Sequence, residues 1–138
     1  MSRGFSLIEL MIAVVIVAIL ATIAIPSYRN HVNGQIESLA QQSLLSISGK
    51  QEQYFADARG YGCTLGEIAT AMPVEVSDHY DAISITTNRA ALASPPAGCV
   101  VAASSNLPTF TLSLSPTTGG QLDGFDVLSY NPQTGQSW

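Results

Sequence analysis

Residues 5–25 read FSLIELMIAVVIVAILATIAI, from Phe5 to Ile25, and only Ser6, Glu9 and Thr22 interrupt the apolar run. At 1.5 Å per residue the segment makes roughly 31 Å of helix, close to the hydrocarbon thickness of a bilayer. Its Ile and Val content leaves no polar face of the kind a soluble surface helix keeps. Met1-Ser2-Arg3-Gly4 precedes it, and Arg3 is the one positive charge there. A basic residue before the span favours a cytoplasmic N-terminus, with the chain after Pro26 on the outer side. Three readings compete: a secretory signal processed near Thr22-Ile23-Ala24, a plain uncleaved anchor, and a helix built for assembly. The remainder bounds the problem. The chain has 138 residues, 46% hydrophobic and 11% charged, with a formal net charge of −5. That is one domain's worth of chain. Five Lys and Arg without a cluster argue against nucleic-acid binding, which needs a concentrated basic surface.

Glu9 weighs among the three readings. An acid inside an apolar span costs about 2.5–3.5 kcal/mol at mid-membrane and less near an end. Neither a signal peptide nor a simple anchor gains from it. A partner charge accounts for it, and the chain can generate one. Cleavage after Gly4 exposes a free amine on Phe5, about 6 Å along the helix axis from Glu9. Between axially staggered copies, each helix can present its acid to another's amine. Breaking such a pair leaves an uncompensated charge costing roughly 3–5 kcal/mol, so it enforces register more than it adds stability.

Arg3-Gly4-Phe5-Ser6-Leu7-Ile8-Glu9, the aliphatic run and Pro26 together resemble the N-terminus of a type IV prepilin. The resemblance covers about a fifth of the chain, and the order of charge, Gly, Phe and Glu is specific. It implies leader cleavage between Gly4 and Phe5, N-methylation of Phe5, an assembly role for Glu9 and a helix bend at Pro26. It further implies a filament subunit of a surface pilus (a fimbrium) serving adhesion, twitching motility or DNA uptake. The implied partners are other pilin subunits, a prepilin peptidase/methyltransferase and the inner-membrane assembly machinery. The implied location is the inner membrane before assembly and the cell-surface pilus afterwards. Gln51-Glu52-Gln53-Tyr54-Phe55 with Gly60-Tyr61 resembles the small minor pilins of Gram-negative bacteria. A type II secretion pseudopilin is the neighbouring alternative, and a signal-anchored periplasmic enzyme or receptor the distant one.

Beyond Pro26, Tyr28, Val32, Ile36, Leu39, Leu44 and Ile47 recur at helical spacing, with Tyr54-Phe55 closing the pattern. Polar residues, Gln51 among them, fill the rest of an amphipathic helix. Arg59-Gly60 supplies a stop, with Gly60 suited to the left-handed conformation. Unbroken from Phe5 to Ala58 the helix would span about 80 Å. Pro26 and Gly34 each weaken its hydrogen-bond ladder and predict a bend or local melting. After Gly60 the pattern turns to strands: 80–86, 99–103, 110–115 and 125–130, then a turn over 131–135 before Trp138. Loops are expected at 73–81 and 90–98, and one helical turn near Leu65–Thr70. The fold expected is α+β: one long N-terminal helix, membrane-spanning then amphipathic, packed on a small antiparallel sheet of three to five strands. The divisions are 1–4 (leader), 5–25 (membrane and assembly helix), 26–60 (amphipathic helix) and 61–138 (head).

An exported head places Cys63 and Cys99 where disulfides persist. A bridge closing about 37 residues stabilises by roughly 4 kcal/mol on the chain-entropy model, and two unpaired buried thiols are the alternative. Many pilins enclose a C-terminal loop with their cysteines, and this spacing departs from that. Other chemistry is thin. His31 lies on the amphipathic helix, and His79 sits among Asp78, Tyr80 and Asp81 with no nucleophile nominated, which reads as a solvated loop histidine. Cys63, Cys99 and His79 lack a metal-ligand spacing. Asp123-Gly124-Phe125-Asp126 is weakly calcium-like without a full loop pattern. No catalytic residue, metal or cofactor is therefore expected.

Overall fold

The computed structural model describes residues 5–87, 99–101 and 108–138, the middle segment by its backbone alone. Gly4, the 90–98 loop, residues 102–103 and the side chain of Cys99 lie outside the described residues. The chain divides into two compact units, the first ending at Gln35 and the second running Ile36–Trp138.

Helix α1 spans Leu7–Ala58. It begins where Ser6 carbonyl accepts from Glu9 and Leu10 N–H at 3.1 and 3.3 Å, which places Glu9 in the first turn. Where a bend or local melting is expected, the helix continues through Pro26 and Gly34. In the first unit the helix carries an 18-residue window of mean hydropathy 2.9, none of it buried, long and apolar enough to cross a membrane.

The second unit is built on Ile36–Ala58 of α1, a short helix α2 (Val74–Ser77) and five strands: β1 (Ser84–Thr87), β2 (Cys99–Val101), β3 (Phe110–Leu114), β4 (Leu128–Asn131) and β5 (Gly135–Ser137). They form one sheet in the order β2-β1-β3-β4-β5. Four strands pair antiparallel, with Ile85 opposite Leu112 and Leu114 opposite Leu128. β2 joins the β1 edge in parallel, so the sheet is mixed at that end. The alternation of β3 is clean: Phe110, Leu112 and Leu114 are buried, Thr111 and Ser113 partly exposed. That face, with Ile85 and Leu128, supplies one wall of the core. The helix supplies the other through Ile36, Ala40, Ser43, Leu44, Ile47, Ser48 and Gln51.

Several expectations shift. At about 100° per residue Leu39 falls outside the buried arc, and it is exposed, as is Tyr28. Ala40 and Gln51 take the buried positions instead. The left-handed residue after α1 is Arg59 (φ 53), not Gly60. Its N–H donates to Phe55 carbonyl at 2.9 Å, a single-bond left-handed cap. The 73–81 segment, expected as loop, contains α2, and its Tyr80 makes a lone bridge to Pro116. β1 begins only at Ser84, and β4 at Leu128, since exposed Phe125 and Val127 pair with no strand among the described residues. Gly135, expected in the turn, and the Gln136 and Ser137 that follow it form β5; Asn131 Oδ1 fixes the hairpin by accepting Gln133 N–H at 2.8 Å.

The turn at 64–70 carries both ends of a helical turn. Thr64 Oγ1 accepts Glu67 N–H at 3.2 Å, while Glu67 Oε2 accepts Cys63 N–H at 2.6 Å, a variant of the capping box. Thr70 N–H donates to Leu65 carbonyl and Ala69 N–H to Gly66 carbonyl, a Schellman closure with Ala69 left-handed at φ 50.

Candidate functional site

In the first unit Glu9 sits in the first turn of α1, and Phe5 lies two residues before the helix starts. Phe5 is 84% exposed, and Glu9 is exposed in the first turn, where a carboxylate is favoured by the positive end of the helix dipole. From Leu7 to Ile25 every residue is exposed except the half-buried Ala21. Such a surface is stable in lipid or against other helices and not in water. Thr22 answers its polarity locally, its hydroxyl donating to Ile19 carbonyl at 2.7 Å. A Cβ on Gly34 would meet nothing within 4 Å, so no contact in the described chain requires glycine there. His31 stays local, its Nε2 3.0 Å from Gln35 Nε2.

The second unit holds a polar clamp that hydrophobic patterning does not reveal. Gln51 is completely buried; its Nε2 donates to Gly62 carbonyl and its Oε1 accepts Gly62 N–H, both at 2.8 Å. The amide thus satisfies both backbone groups of one loop residue and ties the helix end to the chain entering Cys63. A Cβ on Gly62 would lie 2.5 Å from Ile68 Cγ2, so only glycine fits between them. Thr64-Leu65-Gly66-Glu67 is the sequence signal beside this clamp, being a Thr-x-x-Glu box.

Cys63 is buried with Sγ 3.6 Å from the buried Thr87 Oγ1, and the strand register sets Cys99 beside Ile85. Aromatic rings run from helix to sheet: Phe55 stacks on Tyr61 at 4.7 Å, Tyr61 tilts on Phe110 at 4.6 Å, and Phe110 lies 6.3 Å from Tyr130. Tyr61 donates its hydroxyl to Glu52 at 3.1 Å. Burial above all, then that hydrogen bond and the Glu52 charge, pushes the Tyr61 phenol up to about 12. Tyr80 is raised as well, by burial first and by the Glu37 charge second. Asp123 Oδ2 accepts Gly119 N–H at 3.0 Å, and among the described residues no three His, Cys, Asp or Glu side chains converge as metal ligands.

The described residues thus comprise an exposed apolar helix with an acid in its first turn, long enough to cross a membrane, and a small α+β domain held by the buried contacts above. Residues 1–25 match the family model described as the prokaryotic N-terminal methylation motif. The resemblance to a type IV pilin extends past that motif. Over 70 residues, 51% of this chain, it is 39% identical to "Type IV major pilin protein PilA" of Myxococcus xanthus (strain DK1622). The chain spans 32% of that relative's length. No solved structure matches it.

Proposed function

We propose that the chain is a structural, non-enzymatic subunit of a type IV pilus. The observation that carries this reading is Glu9, a carboxylate in the first turn of a helix whose apolar N-terminal part is exposed, inside a segment matching the methylation motif. The prepilin sits in the inner membrane with Arg3 inside and the head outside. The peptidase cuts between Gly4 and Phe5 and the new Phe5 amine is N-methylated. The helix then exchanges lipid for a bundle of like helices. Lipid tails and Leu or Ile side chains are equally apolar, so the exchange meets little hydrophobic gradient in either direction. That allows extension and retraction driven by the assembly machinery. The pair between Glu9 and the Phe5 amine of a neighbouring copy sets register, because a mismatched copy buries a lone charge at roughly 3–5 kcal/mol.

Pro26 and Gly34 are the points at which the helix bends under load, each having a weakened backbone ladder. Cys63 and Cys99 form a disulfide in the exported head. Its support is the buried position of Cys63 against Thr87 and the placement of β2 on the β1 edge. The surface filament serves adhesion, twitching motility or DNA uptake.

The test is Glu9→Ala in the full-length chain. Its prepilin is cleaved as wild type is and stays in the membrane, and sheared surface filaments lack it. Incorporation at the wild-type level contradicts the role of Glu9. Recovery of the wild-type chain only from short periplasmic filaments assigns it to the secretion pseudopilins instead.

A further inference from the structure

The second unit carries a groove of about 390 Å³ whose apolar wall includes Leu65, Met72, Ile83 and Ile85. That volume falls in the range of roughly 300–1,000 Å³ typical of ligand pockets. Acidic residues flank its lining in the sequence. Glu67 Oε2 lies 2.6 Å from the N–H of the lining residue Cys63; exposed Asp78 follows the lining residue Ser77, and exposed Asp81 precedes Ala82. No Lys or Arg pairs with these carboxylates among the described residues. All of the chain's ten Asp and Glu except Glu9 lie from Ile36 onward, and the described Lys and Arg there are Lys50 and Arg59 alone.

A surface of this chemistry takes an apolar body with a cation beside it. The chain presents that combination at Tyr28-Arg29 on α1. Tyr28 is 70% exposed, Arg29 is exposed, and neither side chain has a hydrogen-bond or charge partner among the described residues. An arginine lays its methylenes along apolar surface while its planar head takes carboxylates two bonds at a time. Resting on the filament reading above, we infer that this groove, with exposed Asp78 and Asp81 next to its lining residues in the sequence, receives Tyr28 and Arg29 of a second copy of this chain. The ring enters the apolar wall, and the guanidinium meets Asp78 and Asp81. An assembled filament thereby gains a head contact that is sensitive to salt, alongside the apolar helix bundle.

Photo-crosslinking in intact filaments tests this, with benzoylphenylalanine in place of Tyr28 in the full-length chain. Irradiation yields gel-resolved dimers whose linked peptide maps to residues 63–85 of the other copy. Linkage only to another segment, or no dimer from filaments that do assemble, overturns the docking and leaves the pilus reading standing. Absence of wild-type filaments overturns the pilus reading beneath it. Charge exchange adds a second arm. Arg29→Glu lowers sheared-filament yield at least tenfold, and adding Asp78→Lys and Asp81→Lys restores it to within threefold of wild type. Wild-type yield from Arg29→Glu alone overturns the proposal. So does failed restoration when the exchanged prepilin accumulates in the membrane at the normal level.

Discussion

Replacing Gln51 by Leu preserves the helix and the volume but removes both partners of Gly62. Gln51 is wholly buried and its two hydrogen bonds are both 2.8 Å, so Gly62 N–H and C=O are left without protein partners or ready access to water. Each orphaned group costs about 1–3 kcal/mol. Partial relaxation brings the sum to about 4 kcal/mol, which lowers the melting temperature of a domain this size by roughly 15–30 °C. The assay is thermal or urea unfolding of the full chain in detergent, followed by near-UV circular dichroism. Gln51→Glu isolates the donor. A neutral carboxylic acid can donate to Gly62 carbonyl and accept its N–H, whereas a carboxylate cannot donate and is buried. Burial raises the folded pKa of the introduced carboxyl above its unfolded value of about 4.3, so the folded state holds its proton more tightly. Stability of this variant is therefore fullest below about pH 4 and falls as pH rises through the raised folded value. Gln51→Leu within about 1 kcal/mol of wild type, or a pH-independent Gln51→Glu, refutes the clamp.

Other outcomes follow from single positions. Arg59→Gly and Ala69→Gly each relieve a left-handed non-glycine residue and raise stability by about 0.5–1 kcal/mol in the same unfolding assay. Gly62→Ala sets a Cβ against Ile68 and lowers it by about 1–3 kcal/mol. Spectrophotometric titration finds a phenol with its midpoint near 12, which Tyr61→Phe abolishes. Because the folded pKa lies above the unfolded value of 10.0, the Tyr61 contribution is complete below pH 10 and is lost between there and pH 12.

The long helix was legible because its signal is redundant: an unbroken apolar run, then Ile36, Leu44 and Ile47 at helical spacing. β3 was legible from strict alternation, and the helical turn at 64–70 from its expected position. Gln51 was not, since a glutamine on an amphipathic helix reads as solvated until the loop carbonyl and N–H it serves are in place. Leu39, expected on the stripe, is exposed while Ala40 is buried, because side-chain size says less than angular position. The stop at Arg59-Gly60 was found, yet the backbone closes one residue earlier than glycine's conformational freedom indicates. β5 and the parallel placement of β2 depend on pairing between distant segments, which local patterning does not encode. Of the site, the apolar helix and Glu9 are plain in the sequence. The groove is assembled from 63–85 by tertiary folding and leaves no periodic trace.

Mass spectrometry of the mature N-terminus, on protein recovered from sheared surface filaments, bears most directly on the central claim. The predicted result is a chain that starts at Phe5, with one methyl group on its amine and Glu9 retained. A chain that still carries Met1, or one trimmed beyond Ala24 and found soluble, contradicts it.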